Sequence, residues 1–415
     1  MSLVSLAAAC SAHQSVHIDK RFLRFHHWLR AQGISRAAYV NLVTWSYDSQ
    51  DCQMKITSVE SFKLLIPISE EQQNLRYYNK TGVTRIRTDD GITGYGWSEV
   101  DPEAASALLI GKDPIQVGRL VTDGLGHEFY GAENALWDIV GKAADEPLHR
   151  LWGSCRDRMK LYLTTVWPVD AHQTQVSPDQ QADDIAHYAS LGFDAFKIRI
   201  WRPDPMDDVE TVRQIRSRLG GPDKAEIMLD RTGDGPGEDW DFKTGLRIAD
   251  ALFEADAQWL EEPFIRGDIE RHARLRAVSR IPITGGEHQP LEVYDNYLAG
   301  QSFDIIQPHC ANVLMHLKKI AGAAELFGVD CIFHGQHGMN LIGSLQVGAT
   351  IPSCRMQEVV FNTPPVPPTE AWSPLNALVK SGAILEVSDG YVRIPDGPGL
   401  GIDVDDEAVD RYRVK

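Results

Sequence analysis

DAFKIRI (194–200), EIMLD (226–230), QWLEEP (258–263) and PITGGE (282–287) are four short β-rich runs, separated by helical text such as DDVETVRQIRSRL (207–219) and FKTGLRIADALFEA (242–255). The rhythm continues on both sides. LYLTTVW (161–167) precedes it, and DIIQPH (304–309), CIFHG (331–335) and MQEVVF (356–361) follow. Eight βα units in succession read as a closed parallel barrel, with an open parallel sheet as the weaker choice. In DAFKIRI the side chains alternate, so Lys197 and Arg199 share one face while Phe196, Ile198 and Ile200 take the other.

The strand ends carry the chemistry, because barrel sites form at the C-terminal ends of the strands. Run two ends in Lys197-Ile198-Arg199, run three in Asp230, run four in Glu261-Glu262-Pro263 and run five in Gly286-Glu287-His288. Run six ends in His309, run seven in His334, and run eight contains Glu358. Asp230, Glu261 and Glu287 stand on three successive strands, and three carboxylates at one mouth repel each other unless a cation sits among them. Oxygen donors without cysteine favour Mg²⁺, one per subunit, with Mn²⁺ second. Arg199 stays protonated and suits a carboxylate or a place near the metal. Lys197 could act as a base only with a depressed pKa, toward which an adjacent Arg pushes. His334 is the best base candidate, since imidazole titrates near neutral pH. His309 could orient it or serve as a second acid/base. Glu358 could hydrogen-bond a substrate oxygen if protonated.

Before the barrel, MKITSVESFKLLI (54–66) and TRIRTDDGITGYGWSE (84–99) read as strands, the second folding back at Asp90-Gly91. Helical spacing follows at 102–120 and 131–145, which makes residues 54–159 an α+β lobe ahead of a barrel at 160–383. Pro67–Gly82 is a polar loop between the strands. The tail, 384–415, is too polar for barrel core and is expected to return to the first lobe. Residues 1–53 show neither turn punctuation nor a clear period. They are read as an extension of unclear role, disordered or loosely docked. LVSLAAAC (3–10) is too short, and lacks a preceding Lys or Arg, for a convincing signal.

Composition narrows the function classes. The chain has 415 residues, 43% hydrophobic and 24% charged, within the globular range. Its 58 acidic against 41 basic residues give a formal charge of −17, which argues against nucleic acid and anionic membrane as partners. Six scattered cysteines without a C-x-x-C pair read as reduced thiols of a cytoplasmic protein. No window approaches a membrane span.

A metal with a Lys/Arg pair on one side and a His on the other suits abstraction of the proton next to a metal-bound carboxylate, since the cation stabilises the enediolate formed. KIR (197–199), LD (229–230), EEP (261–263), GGE (285–287), the His334 strand and AENALWDIVGKAADEPLHRLWG (132–153) together resemble the enolase superfamily, in its mandelate racemase-like branch. The resemblance implies a modified TIM barrel, (β/α)7β-like, with an N-terminal α+β capping domain completed by the C-terminal tail. It places Asp230, Glu261 and Glu287 as metal ligands. Lys197 and Arg199 fall on a Lys-x-Lys motif, His334 on the seventh-strand histidine and Glu358 on the eighth-strand acid. The 67–82 loop falls on the flexible cap loop, so Tyr77, Tyr78 and Lys80 become substrate contacts, joined by Glu262, His288 and His337 beside the ligands and the base. Specificity is also expected around Trp167, Trp201 and Arg231. Two departures stand out: Arg199 replaces the second Lys, and His309 stands where many relatives carry an Asp.

HGQHG (334–338) is similar to the seventh strand of some acid sugar dehydratases. The expectation is a hydro-lyase that converts an aldonate or aldarate to a 2-keto-3-deoxy acid, in a homo-oligomer (dimer or octamer). The alternatives are a racemase, epimerase or cycloisomerase on a related acid, or a catalytically retired member.

Overall fold

Three antiparallel strands open the described chain, β1 (Ile56–Leu65), β2 (Lys80–Thr88) and β3 (Thr93–Gly96), paired in that order. The computed structural model describes residues 54–165, 176–200, 202–233, 239–335, 337–361 and 366–414; residues 1–53, Trp167 and Trp201 lie outside these. The turn at Asp90-Gly91 joins β2 to β3, with Gly91 at φ 80°. The 67–82 segment holds a short helix, Glu70–Asn74, closed by a Ser69/Gln72 capping box, and Lys80 is the first residue of β2 rather than part of the loop. Helices α1 (Pro102–Leu109) and α2 (Tyr130–Ala144) cover the sheet, burying Ala132, Ala135, Leu136 and Ile139 with Ile56, Val59 and Ile86. Gly96 permits this approach, because a Cβ there would lie 1.8 Å from the Gly131 carbonyl oxygen.

Eight parallel strands follow: β4 (Arg158–Thr165), β5 (Ala195–Arg199), β6 (Glu226–Asp230), β7 (Leu260–Glu261), β8 (Ile283–Gly285), β9 (Ile305–Ile306), β10 (Asp330–Cys331) and β11 (Met356–Phe361). Each of β4 to β9 pairs with the next, and β11 lies parallel to β4 from Met356↔Lys160 to Phe361↔Thr165. The strands thus come round to their start. Among the described residues no ladder joins β10 to β11. That seam is bridged by Gly335, whose N–H donates to Glu358 Oε2 at 2.8 Å and whose missing Cβ would meet the Glu358 carbonyl oxygen.

Helices α3 (Pro178–Ser190), α4 (Pro205–Leu219), α5 (Phe242–Glu254), α6 (Ile269–Arg276), α7 (Tyr294–Ala299), α8 (Leu314–Leu326) and α9 (Leu341–Gly348) fill the connections. Their ends are written in the sequence. In α4, Asp204 caps the Met206 N–H, Pro205 starts the helix, Asp207 and Asp208 occupy the first turn, Arg216 and Arg218 the last, and Gly220 leaves in the left-handed conformation. Phe196, Ile198 and Ile200 point out of the barrel into the core shared with these helices.

Inside the barrel, Tyr162, Ala195, Met228, Trp259, Ile305, Ile332 and Met356 form a separate apolar cluster, with Tyr162 edge-on to Trp259 at 5.6 Å. Two residues further along each of these seven segments stand Thr164, Lys197, Asp230, Glu261, Gln307, His334 and Glu358. Strand alternation puts them on the same inward face, one layer nearer the mouth. A dry floor therefore lies directly under a charged layer.

The tail makes two stops. β12 (Val387–Ser388) and β13 (Tyr391–Arg393) form a hairpin whose second strand pairs antiparallel with Arg158–Lys160 of β4, a barrel strand rather than the first lobe. From Gly399 the chain meets the first lobe. Asp138 on α2 accepts from Leu400 N at 2.9 Å, Tyr95 N at 2.9 Å and Lys142 Nζ at 2.6 Å, and so ties tail, sheet and helix together. Arg85 on β2 pairs with Asp410 at 2.8 Å.

The fully buried Glu133 of α2 links lobe to barrel. Its carboxylate accepts from Leu314 N at 2.9 Å and Met315 N at 3.2 Å, the first two residues of α8, which lacks a cap of its own, and from Trp137 Nε1 at 2.7 Å. Burial pushes its pKa from 4.5 up to about 7 against the pull of those N–H donors. Glu133→Ala, which orphans two helix N–H groups, is expected to lower the unfolding free energy by about 2 kcal/mol in urea titrations. The pH dependence has a definite sign. A folded-state pKa raised above the unfolded one contributes stability that is complete below pH 4.5 and is lost as pH rises through about 7. Glu133→Gln should flatten that slope, and an unchanged slope would count against the assignment. No helix among the described residues is long and apolar enough to cross a membrane.

Candidate active site

Lys197 sits at the centre of the charged layer with no exposed surface. Its Nζ lies 2.6 Å from Glu261 Oε1, 2.9 Å from Glu358 Oε1 and 3.3 Å from Asp230 Oδ2. Burial opposes the ammonium, but the three carboxylates outweigh it and hold Lys197 well above the usual lysine range. This reverses the expectation that Arg199 would depress it. Arg199 Nη1 donates to Asp230 Oδ2 and to Thr232 Oγ1, and its guanidinium is likewise held high by the surrounding acids.

His334 is also buried. Its Nδ1 lies 2.6 Å from Glu287 Oε2 and 3.1 Å from Glu358 Oε2. Burial disfavours the imidazolium, yet these two carboxylates push its pKa up to about 10. The negative charge that an Asp on strand six would have supplied thus comes from strands five and eight. Glu287 and Glu358 are in turn held well below the usual carboxylate range, burial being outweighed by His334 and Lys197. Glu358 is therefore ionised. Its Oε1 takes the Thr164 hydroxyl and Lys197, and its Oε2 takes Gly335 N and His334. It braces the base instead of donating to a substrate as a protonated acid.

Glu262, read as a substrate contact, is turned away from the mouth. It has no exposed surface, and its oxygens accept from Arg266 Nε at 2.7 and 2.9 Å, Gly233 N at 3.1 Å and Gly286 N at 3.2 Å. It braces the ends of β6 and β8 and sits at φ 45° to do so. His288 and His309 stay beside His334, with ring centroids 4.9 and 5.1 Å away. Tyr77 donates to Glu370, and Tyr78 lies against His337 with centroids 4.1 Å apart. Tyr78, Lys80 and His337 line a cavity of about 760 Å³ with Trp97 and Tyr130; its lining includes none of His334, Asp230, Glu261 and Glu287. Arg231 is buried, its guanidinium 5.5 Å from the Trp240 ring.

The donor set fits a hard divalent cation. Asp230, Glu261, Glu262, Glu287 and Glu358 are five buried carboxyl groups against four basic groups, Lys197, Arg199, Arg266 and His334, and burial with the neighbouring Glu287 pushes Glu262 up to about 8. Glu261 registers the imbalance: burial and Asp230 push it up to about 7. The grouping differs from the expected triad. Glu261, Glu287 and His334 bring ligand atoms within 4.8 Å of one another, while Asp230 is engaged by Arg199 and Thr232. Gln307 and Trp259, which donate to Glu261 Oε2 at 2.9 and 3.2 Å, were not picked out from the sequence, nor were Thr164 and Arg266. The inward period-two pattern would have found Thr164 and Gln307. Arg266, on a loop, had no such signal.

Known proteins share this arrangement of strands. The chain is 25% identical over 359 residues to an arabinonate dehydratase of Saccharolobus solfataricus, covering 80% of this chain and 90% of that one. It is 28% identical over 392 residues to a D-galactarolactone cycloisomerase of Agrobacterium fabrum, covering 87% and 99%. Among solved structures, a mandelate racemase/muconate lactonizing protein of Paracoccus denitrificans, complexed with magnesium, superposes with a TM-score of 0.67 at 22% identity, over 87% of this chain and 98% of that one. Residues 180–408, more than half of the chain, match the family model described as enolase C-terminal domain-like. With the acids and the imidazole on the strands where the resemblance implied them, the chain belongs to the enolase C-terminal domain-like family, in the mandelate racemase-like part of the enolase superfamily.

Proposed function

We propose that the protein is a Mg²⁺-dependent dehydratase of a sugar acid, an aldonate or aldarate, that removes the proton next to the carboxylate and expels the β-hydroxyl. One observation carries this reading: Lys197 is locked among three carboxylates, so the titratable groups left at the reacting face are imidazoles clustered on one side, of which His334 is the one held by Glu287 and Glu358. Racemisation needs a base on each face of the α-carbon. Elimination on one face needs one group that accepts a proton and gives it back. Asp230, Glu261 and Glu287 are the residues that would hold the ion. When bound, it supplies positive charge for the enediolate, added to that of Lys197 and Arg199.

In its neutral form His334 takes the α-proton, and the acids that push its pKa up to about 10 make it a strong base in that form; as the imidazolium it returns the proton to the departing hydroxyl, which leaves as water. Glu287 and Glu358 hold its Nδ1 and fix the ring's orientation. Lys197 and Arg199 stay cationic throughout and offer positive charge to the substrate carboxylate. The Agrobacterium cycloisomerase, matched over almost its full length, favours a second reading in which the same base opens a lactone.

The test is a screen of mono- and diacid sugars and their lactones with Mg²⁺. A 2-keto acid with loss of water is the expected result. A product of unchanged mass from a lactone would replace dehydration by cycloisomerisation. Solvent deuterium exchange into both epimers of a substrate would overturn the one-base reading.

A further inference from the structure

Three imidazoles meet at the barrel mouth on the loops after β8, β9 and β10. Ring centroids are 4.3 Å apart for His288 and His309, 4.9 Å for His288 and His334, and 5.1 Å for His309 and His334. One ligating atom of each lies within 4.8 Å of one on each of the others. Their outer contacts suit ligation. His334 presents Nδ1 to Glu287 and Glu358, and a carboxylate on the second ring nitrogen is what typically orients a metal-bound histidine. His309 Nδ1 lies 3.1 Å from the Ala311 N–H, which donates to it in one tautomer, and 3.2 Å from the Ala311 carbonyl oxygen, to which it donates in the other; that second tautomer is the one with its lone pair on Nε2.

These donors differ in kind from the carboxylates below them. Nitrogen sets bind borderline cations, whereas Mg²⁺ prefers oxygen. We propose that His288, His309 and His334 form a site for a borderline divalent cation such as Zn²⁺ or Co²⁺, separate from the carboxylate site, and that filling it withdraws His334 from proton transfer. At about 2.0 Å from a four-coordinate zinc, neighbouring nitrogens stand roughly 3.4 Å apart, so the rings must close by up to about 1.4 Å. His288 is exposed and can make that movement. Its φ of 54° shows a backbone already committed to aiming this loop.

The test holds the full-length protein in excess Mg²⁺ and titrates Co²⁺. One equivalent should produce the intense visible absorption of four-coordinate cobalt, and Zn²⁺ should displace it. His288→Ala and His309→Ala should each weaken binding at least tenfold while keeping the wild-type rise in melting temperature with Mg²⁺. His316→Ala, on α8 away from the cluster, should leave the titration unchanged. Absence of the band, or a band that survives both substitutions, overturns the site. Zn²⁺ should also stop turnover of the screened substrate, with recovery on chelation. Bound zinc with turnover intact overturns the inhibitory role, and neither binding result bears on the proposed dehydration.

Discussion

His334→Asn is expected to lower turnover by about a thousandfold or more, within the range that positioned general acid–base groups contribute. The amide keeps the size and a hydrogen bond but cannot titrate. The loss should fall on kcat and on kcat/KM together, because the proton moves only in the transition state. Steady-state kinetics on the substrate found by the screen reads it directly. A magnesium-dependent rise in melting temperature retained by the variant separates lost chemistry from lost folding. Turnover within tenfold of wild type would remove His334 from the mechanism and with it the one-base argument.

Lys197→Met carries the second large effect, and it falls on stability. The ammonium is wholly buried and touches Glu261, Glu358 and Asp230. Methionine fills a similar volume but strands three carboxylates in the barrel interior. Removing one partner of a buried ion pair typically costs about 3–5 kcal/mol, because the remaining charge is uncompensated. Urea unfolding without divalent cation should show a loss of this size. Added Mg²⁺ should recover more stability in the variant than in wild type, since the cation then meets a greater excess of negative charge. A variant as stable as wild type without metal would mean that the carboxylates neutralise themselves by taking up protons.

Much of the barrel was legible because its period-two strands alternate visibly with period-3.6 helices. The charged layer was legible too, since each of its acids and bases ends a strand run. What the sequence concealed depends on pairing. Lys197 and Arg199 were readable as inward-facing, but the pKa direction of Lys197 depends on three carboxylates from three other strands. Glu262 and Glu261 are neighbours of the same residue type, yet one faces the mouth and the other turns back under Arg266 at positive φ. No local pattern separates them. Glu358 changed role for the same reason: Thr164, Gly335, Lys197 and His334 converge on it from three different segments. The tail's hairpin against β4 is short and polar, and its pairing to a barrel strand is a long-range event that composition does not encode.

The spacing between the barrel's apolar floor and its charged layer has a consequence for how such a protein diversifies. Seven inward side chains, among them Lys197, Asp230, Glu261, His334 and Glu358, stand two residues beyond the residue that anchors their segment in the apolar interior. A substitution in the upper ring rewrites a proton donor, an acceptor or a ligand without disturbing the packing below. A change in the floor threatens the packing of every strand, and at Trp259 also the hydrogen bond to Glu261. The upper positions are coupled to one another through Lys197 and Glu358, but they rest on a packing that none of them supplies. His309 stands two residues beyond Gln307, outside that ring, and the acids that face His334 come from other strands.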